Sequence, residues 1–227
     1  MSPWESLFDQ AVSIINQANS SSTLLDSWTF GGGTALMLQI GHRESIDIDL
    51  FIEDPQVLPF LNPKTQSYIL DVSPDAYISD GTRTLKIVFG SIGEIDFICA
   101  PSVTDVPTFR HTVRGVEVDL ETAGEIIAKK ICYRGASLQP RDMFDIACVA
   151  GACGDDYVIE TLLPFKDKAL VALAVSERMD AGLASAVMGK LRHRDGYADI
   201  SKTAQATTIS LLRKVCEQQP RTPKQRL

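Results

Sequence analysis

Phe30-Gly-Gly-Gly-Thr-Ala-Leu36 and Ser45-Ile-Asp-Ile-Asp-Leu-Phe51 are the two neighbouring stretches that decide the fold of this chain. The first places three glycines between a strand-like segment and a segment that favours helix. The second alternates polar and apolar residues strictly, which predicts a half-buried strand. In such a strand Asp47 and Asp49 project from the same face, about 6.6 Å apart along the backbone. The two stretches therefore predict a glycine turn followed by a pair of carboxylates on one sheet face.

A third acid comes from a later stretch, Glu94-Ile-Asp-Phe-Ile98, which alternates in the same way. If its strand pairs next to the first, Asp96 joins Asp47 and Asp49 on one surface. Carboxylate oxygens are ligands that Mg²⁺ prefers. Three acids on adjacent strands are typical of the metal sites that support in-line phosphoryl transfer. Asp47, Asp49 and Asp96 are therefore the predicted metal ligands and catalytic residues.

The glycines predict a phosphate site beside these acids. Gly32 and Gly33 precede a helix, where unhindered backbone N–H groups can bind phosphate. Thr34 and Ser45 can add hydroxyl donors. A glycine turn alone is more often a tight connection, and an Asp-x-Asp strand alone is often a solvent-facing edge. Their combination in this order favours nucleotide binding.

A second group of candidate residues lies on a predicted helix over residues 120–134, which contains two unequal lysines. Lys129 shares a polar stripe with Glu121 and Glu125, and its spacing from Glu125 predicts an i,i+4 ion pair. Lys130 falls on the inward side, where an ammonium group needs an anionic partner. We favour a phosphate as that partner; the alternative is that Lys130 reaches solvent along its aliphatic stem.

The next helix is predicted to begin at Gln139-Pro-Arg-Asp-Met-Phe-Asp-Ile146, with Pro140 near its first position. Asp142 lies in the first turn, where the helix dipole favours an acid. Asp145 lies one turn deeper among apolar residues, so its position needs another reason. Arg141 can pair with either acid or with substrate.

These motifs resemble those of a known enzyme group. Gly-Gly-Thr followed by Ser-x-Asp-x-Asp-Leu-Phe is similar to the nucleotidyltransferase core of the DNA polymerase β superfamily. It resembles more narrowly the AbiEii/AbiGii toxins, the nucleotidyltransferase toxins of bacterial toxin–antitoxin and phage-defence systems. Ala-x-Lys followed by Arg-Asp-x-x-Asp resembles the second block of that family, so that the resemblance covers roughly residues 28–150.

The resemblance implies a minimal nucleotidyltransferase fold, a nucleoside triphosphate donor and Mg²⁺. It also implies that Lys130 contacts the donor phosphates and that Asp145 is a catalytic-site residue. The implied acceptor is tRNA or a protein side chain, and the implied partner is an antitoxin protein. Two alternatives stay open: a catalytically silent nucleotide- or partner-binding module of the same fold, and a small-molecule nucleotidyltransferase of the aminoglycoside-modifying type.

The composition is that of a globular protein. The chain has 227 residues, 44% of them hydrophobic, and a formal net charge of −7. This composition excludes general disorder, and the acidity disfavours a nucleic-acid coat protein, although short basic segments such as 190–194 and 221–226 leave room for a local basic groove. Five scattered cysteines, no apolar run of about 20 residues and no export signal predict a cytoplasmic protein without membrane contact.

The order of predicted elements indicates an α+β fold. Residues 1–115 read as a mixed-sheet nucleotidyltransferase domain that begins with a helix over 4–18. Residues 116–227 read as a mostly helical domain that completes the active site. Its further helices are predicted over residues 157–177, 181–191 and 202–218.

Overall fold

A computed structural model describes residues 2–218, and its fold is α+β with a mixed sheet, as predicted. The basic segment at 221–226 lies outside the described residues. Contacts within the chain define two compact units. One contains the residues up to 39 together with 44–122, and the other contains residues 40–43 together with those from 123 onward.

The first unit is built around a seven-stranded sheet with the order β3-β4-β5-β2-β1-β7-β6. In chain order its strands are β1 (Thr29–Gly31), β2 (Ile48–Ile52), β3 (Ala76–Ser79), β4 (Thr84–Val88), β5 (Glu94–Cys99), β6 (Thr108–Val113) and β7 (Val116–Glu121). The β1–β7 and β2–β5 pairs are parallel, and the other pairs are antiparallel.

The helices of the described residues are α1 (Pro3–Ala18), α2 (Gly32–Ile40), α3 (Pro63–Gln66), α4 (Ala123–Arg134), α5 (Pro140–Cys153), α6 (Asp155–Leu162), α7 (Lys166–Arg178), α8 (Ala181–Met188) and α9 (Ile200–Glu217). Short 3₁₀ turns cover Pro55–Leu61, Gly135–Ser137 and Leu163–Phe165. No helix in the described part of the chain is long and apolar enough to cross a membrane.

The strict alternation of β2 and β5 sorts their side chains onto two faces. Ile48, Leu50, Ile95 and Phe97 are fully buried, and α1 packs on these two strands. The rings of Phe8 and Phe30 lie 5.3 Å apart on the same side. The opposite face carries the polar residues of the same strands, so burial of the apolar face fixes where the acids point.

Several element boundaries differ from the sequence-based prediction. The alternation over residues 45–51 predicts a strand from Ser45, but β2 begins at Ile48. The periodicity over 120–134 predicts a helix from Leu120, whereas β7 runs to Glu121 and α4 starts at Ala123. The two compact units divide after Thr122. The predicted helix over 157–177 is two helices, because Pro164 interrupts the backbone hydrogen bonding between them.

The second unit is helical, as predicted. Helix α9 packs against α5 and α7, and its apolar face is buried through Leu211, Leu212 and Val215. Helix α5 begins with Pro140 at its first position, which confirms that prediction. The Thr208 hydroxyl donates a hydrogen bond of 3.0 Å to the backbone carbonyl of Met143 and ties α9 to α5.

Candidate active site

Four residues lie side by side across four adjacent strands of the sheet. Gly31 of β1 is opposite Asp49 of β2, Asp49 is opposite Asp96 of β5, and Asp96 is opposite Lys86 of β4. Neighbouring strands are about 4.8 Å apart, and directly opposite residues project from the same face. The predicted pairing of the two acidic strands is therefore confirmed, and Asp49 and Asp96 are neighbours on one sheet face.

Asp47 lies just before β2, on the backbone segment that leads into it. Its Oδ1 accepts a hydrogen bond of 3.0 Å from the backbone N–H of Glu94, so its carboxylate reaches towards β5. Its backbone carbonyl accepts a 2.6 Å hydrogen bond from the Thr34 hydroxyl. Hydrogen bonds to its side chain and to its backbone therefore fix Asp47 next to Asp49.

The two predicted hydroxyl donors have different surroundings. Thr34 is fully buried in α2, and its hydroxyl proton is given to Asp47, so in this structure it supports the acidic segment instead of facing a phosphate. Ser45 is half-buried in the segment before β2, and its backbone N–H contacts the Met37 sulfur at 3.3 Å.

The glycines bring the backbone against carboxylates. Gly32 has φ of +69°, and a Cβ at this position would overlap the Asp49 carboxylate. A Cβ on Gly31 would overlap the carboxylate of Glu121. Gly32 and Gly33 form the first residues of α2 and are both half-buried. This turn therefore places the N-terminus of α2 directly beside Asp49.

Glu121 is a further acidic residue near the glycine turn, and the sequence analysis wrongly predicts that it lies in a helix. It ends β7 instead of lying on a polar helix stripe, it is fully buried, and its Oε1 accepts a 2.8 Å hydrogen bond from the Thr29 hydroxyl. The stretch Val-Glu-Val-Asp-Leu-Glu over 116–121 alternates as strictly as β2 does. That alternation is the signal by which the strand could have been found.

Lys86 is a second candidate that the sequence analysis does not include. Its ammonium Nζ lies 2.8 Å from Asp96 Oδ2 and also forms an ion pair with Glu94. Burial raises the pKa of Asp96 above its usual range, although the Lys86 ammonium acts in the opposite direction. Burial by itself would lower the pKa of Lys86, but its two carboxylate partners more than compensate and raise it.

The residues on this face fit a divalent cation in chemistry. Asp47, Asp49 and Asp96 supply hard oxygen donors, and the absent Cβ of Gly32 leaves room for the Asp49 carboxylate. A cationic group already lies at Asp96, namely the Lys86 ammonium. Among residues 2–218, no three His, Cys, Asp or Glu side chains already form a group that could hold a metal ion. The three carboxylates are thus suitable oxygen donors by type, but in this structure Asp96 is paired with a lysine and a metal site at them stays a prediction.

The second unit contains a buried cluster of charged residues. Lys130 Nζ lies 2.8 Å from Asp142 Oδ1 and 3.0 Å from Asp145 Oδ2. The Arg43 guanidinium binds both oxygens of Asp145, through Nε at 2.8 Å and Nη2 at 3.0 Å. His42 Nε2 lies 2.9 Å from Asp145 Oδ1. Asp145 therefore has three partners from two separate chain segments.

The electrostatics of this cluster follow from burial and from its opposite charges. Burial alone would raise the pKa of Asp145, but Lys130 and Arg43 outweigh it and hold the pKa well below the usual range. For Lys130, burial would lower the pKa, while Asp145 and Asp142 raise it. Burial lowers the pKa of His42. The two aspartates are thus carboxylates and Lys130 is an ammonium group at neutral pH.

The inward position of Lys130 and its need for an anionic partner are confirmed. The partners in this structure are Asp142 and Asp145, so a phosphate contact by Lys130 stays a prediction. The arginine at Asp145 is Arg43, whereas Arg141 is exposed. The predicted Glu125–Lys129 ion pair is present at 3.7 Å.

The chain matches the sequence model of a known family. The sequence model of the family described as AbiEii, a nucleotidyltransferase toxin of type IV toxin–antitoxin systems, matches residues 14–210. No curated protein matches the chain significantly.

Two solved structures from Helicobacter pylori are similar to this chain. One, provisionally described as a nucleotidyltransferase, is 13% identical, with a TM-score of 0.48 over 94% of this chain and 93% of its own. The other, JHP933, is also 13% identical, with a TM-score of 0.44 over 93% of this chain and 92% of its own. Similarity at this level does not extend to substrate or partners.

Proposed function

Because the chain belongs to the AbiEii family of nucleotidyltransferase toxins of type IV toxin–antitoxin systems, we propose that it transfers a nucleoside monophosphate from a triphosphate to an acceptor hydroxyl. The observation that carries this proposal is the row in which Gly31, Asp49 and Asp96 lie side by side, with a helix N-terminus starting at Gly32. It joins a phosphate-binding turn to acidic side chains on one sheet face.

In the proposed reaction the acceptor oxygen forms a bond to the α-phosphorus, the bond from that phosphorus to the β-phosphate oxygen breaks, and pyrophosphate leaves. Asp96 is proposed to orient the acceptor hydroxyl or to accept its proton. Mg²⁺ bound by Asp47, Asp49 and Asp96 would neutralise charge on the triphosphate oxygens. Gly32, Gly33 and Ser45 position the phosphates.

Lys130 and Asp145 belong to the proposal through family resemblance. We propose that Lys130 neutralises phosphate charge by exchanging one carboxylate partner for the substrate. Asp145 then retains Arg43 and His42 as partners. Thr34 is proposed as a positioning residue, since it holds the backbone of Asp47.

The proposed acceptor is tRNA or a protein hydroxyl, and the proposed partner is an antitoxin protein. Both follow from the family and not from a feature of the described residues. The cytoplasm is the proposed location, because all five cysteines are free thiols.

The first test is a labelling experiment. Purified protein is incubated with total RNA and each α-³²P-labelled nucleoside triphosphate, with Mg²⁺ or with EDTA. We expect label on tRNA or on protein, and none with EDTA. Asp47→Asn and Asp49→Asn should reduce labelling at least about 100-fold, because a metal ligand supplies several kcal/mol of transition-state stabilisation. The exposed Asp105 provides the control variant Asp105→Asn.

The distribution of the label decides among the alternatives. Label on tRNA alone excludes the protein acceptor, and label on protein alone excludes tRNA. Absence of label with every triphosphate and both acceptors would contradict the proposal and leave the silent binding module and the small-molecule nucleotidyltransferase. Equal labelling by Asp49→Asn and wild type would show that the Asp49 carboxylate has no role in the reaction.

A further inference from the structure

Lys86 has no role in the reaction as described, yet its ammonium group forms an ion pair with Asp96, one of the proposed metal ligands. It projects from β4 directly opposite Asp96, and it binds Asp96 and Glu94 together. The Asp96 side chain is 16% exposed and that of Lys86 31% exposed. This pair is therefore only partly screened by water, and its charges act on neighbouring groups.

The lysine competes with a metal for the same oxygens. An ammonium 2.8 Å from Asp96 Oδ2 occupies the space from which a cation would approach that oxygen. A divalent cation bound by Asp49 and Asp96 would also lie within a few ångströms of Nζ, where like charges repel. Lys86 has a second partner in Glu94 on the same strand as Asp96, so it can release Asp96 without losing every carboxylate.

We propose that Lys86 is a built-in competitor of the divalent cation at Asp96. It weakens the binding of free divalent cations to Asp47, Asp49 and Asp96. It releases Asp96 when the metal binds together with a negatively charged triphosphate. This inference rests on the proposed function and adds a residue that controls metal occupancy. An ordinary cross-strand ion pair would stabilise the sheet but would leave metal affinity unchanged.

The test measures metal binding in the absence of nucleotide. Mn²⁺ is titrated into wild type and Lys86→Met, and free Mn²⁺ is followed by electron paramagnetic resonance. We expect Lys86→Met to bind Mn²⁺ at least about tenfold more tightly, because one opposing charge close to the site is removed. Mn²⁺ should also raise the melting temperature of Lys86→Met more than that of wild type. The exposed Lys64 supplies the charge-matched control Lys64→Met.

A double variant separates the specific effect from net charge. Lys86→Met/Asp96→Asn should lose the gain in Mn²⁺ affinity, because the carboxylate that Lys86 covers is gone. Equal affinity in wild type and Lys86→Met, or a gain that persists in the double variant or appears in Lys64→Met, would overturn the inference. If Asp49→Asn leaves Mn²⁺ binding by Lys86→Met unchanged, or if no variant binds Mn²⁺, the metal site of the proposed function is itself wrong.

Discussion

At Gly32 the backbone adopts φ of +69°, and the Asp49 carboxylate fills the space that a side chain would need. The glycine thus has two reasons to be there, one conformational and one steric. An L-residue pays about 1–2 kcal/mol for this left-handed conformation. The steric reason is the functional one, since it lets the acid lie against the first turn of α2.

The variants Gly32→Ala and Gly81→Ala separate the effect of backbone conformation from the effect of the steric overlap with Asp49. Gly81 has a similar φ of +78°, but a Cβ there meets nothing within 4 Å. We expect Gly81→Ala to lower the free energy of unfolding by about 1–2 kcal/mol and to leave nucleotidyl transfer unchanged. Gly32→Ala should cost about 1–3 kcal/mol more from overpacking and should abolish transfer by displacing Asp49. Urea unfolding and the labelling assay provide the two measurements.

Equal activity in the two alanine variants would show that Asp49 tolerates displacement and is not held for catalysis.

At this scale the sequence is informative about the acids but not about their partners. The alternation of Asp47 and Asp49 needs only local periodicity to be recognised. Lys86 meets Asp96 through strand register, which no local pattern specifies.

At the scale of elements, β7 shows what misleads a periodicity argument. Its last two residues, Leu120 and Glu121, are separated from α4 by Thr122 alone and also fit the helical spacing of 120–134. The strand pairs along its whole length with β6 across a hairpin turn, and Asp119 and Leu120 also pair in parallel with β1, about 90 residues earlier in the chain. Tertiary pairing therefore overrides a local pattern that fits both structures.

Helices α4 and α5 are joined by ion pairs, and Asp145→Asn tests how much these contribute. The Asp145 side chain is fully buried, so the substitution leaves Lys130 and Arg43 buried with too little negative charge. We expect a loss of about 3–5 kcal/mol in the free energy of unfolding, as for other broken buried ion pairs. Urea denaturation followed by circular dichroism measures it.

The matched control for that prediction is Asp199→Asn. Asp199 pairs with Lys202 at 2.7 Å, but both side chains are largely exposed, at 91% and 73%. We expect no measurable change in stability, because exposed ion pairs contribute little. A loss in Asp145→Asn no larger than that of the control would mean that the cluster does not stabilise the helical unit, and that its charges are kept for substrate.

At the scale of the whole molecule, charge is distributed unevenly between surface and interior. The chain carries 29 acidic and 22 basic residues, and many of the acidic side chains, such as Asp54, Asp80 and Asp105, are exposed to solvent and salt. The cluster around Asp145 is buried and depends less on screening. Acidification therefore acts on stability through the groups whose folded and unfolded pKa values differ, which include His42 as well as the buried carboxylates.

The pH dependence of stability follows from the direction of these shifts. Lys130 and other cations lower the folded pKa values of Asp145 and Asp142 despite their burial. The unfolded chain therefore takes up protons first, so the stabilisation is complete above the ordinary pKa near 3.8 and is lost as pH falls below it. Urea midpoints at several pH values between 6 and 2.5 should decrease steeply at the acid end. In Asp145→Asn the decrease should be shallower, because one group with a lowered pKa is gone and unfolding then takes up as much as one proton fewer. A parallel decrease in both proteins would show that Asp145 is not ionised within the fold.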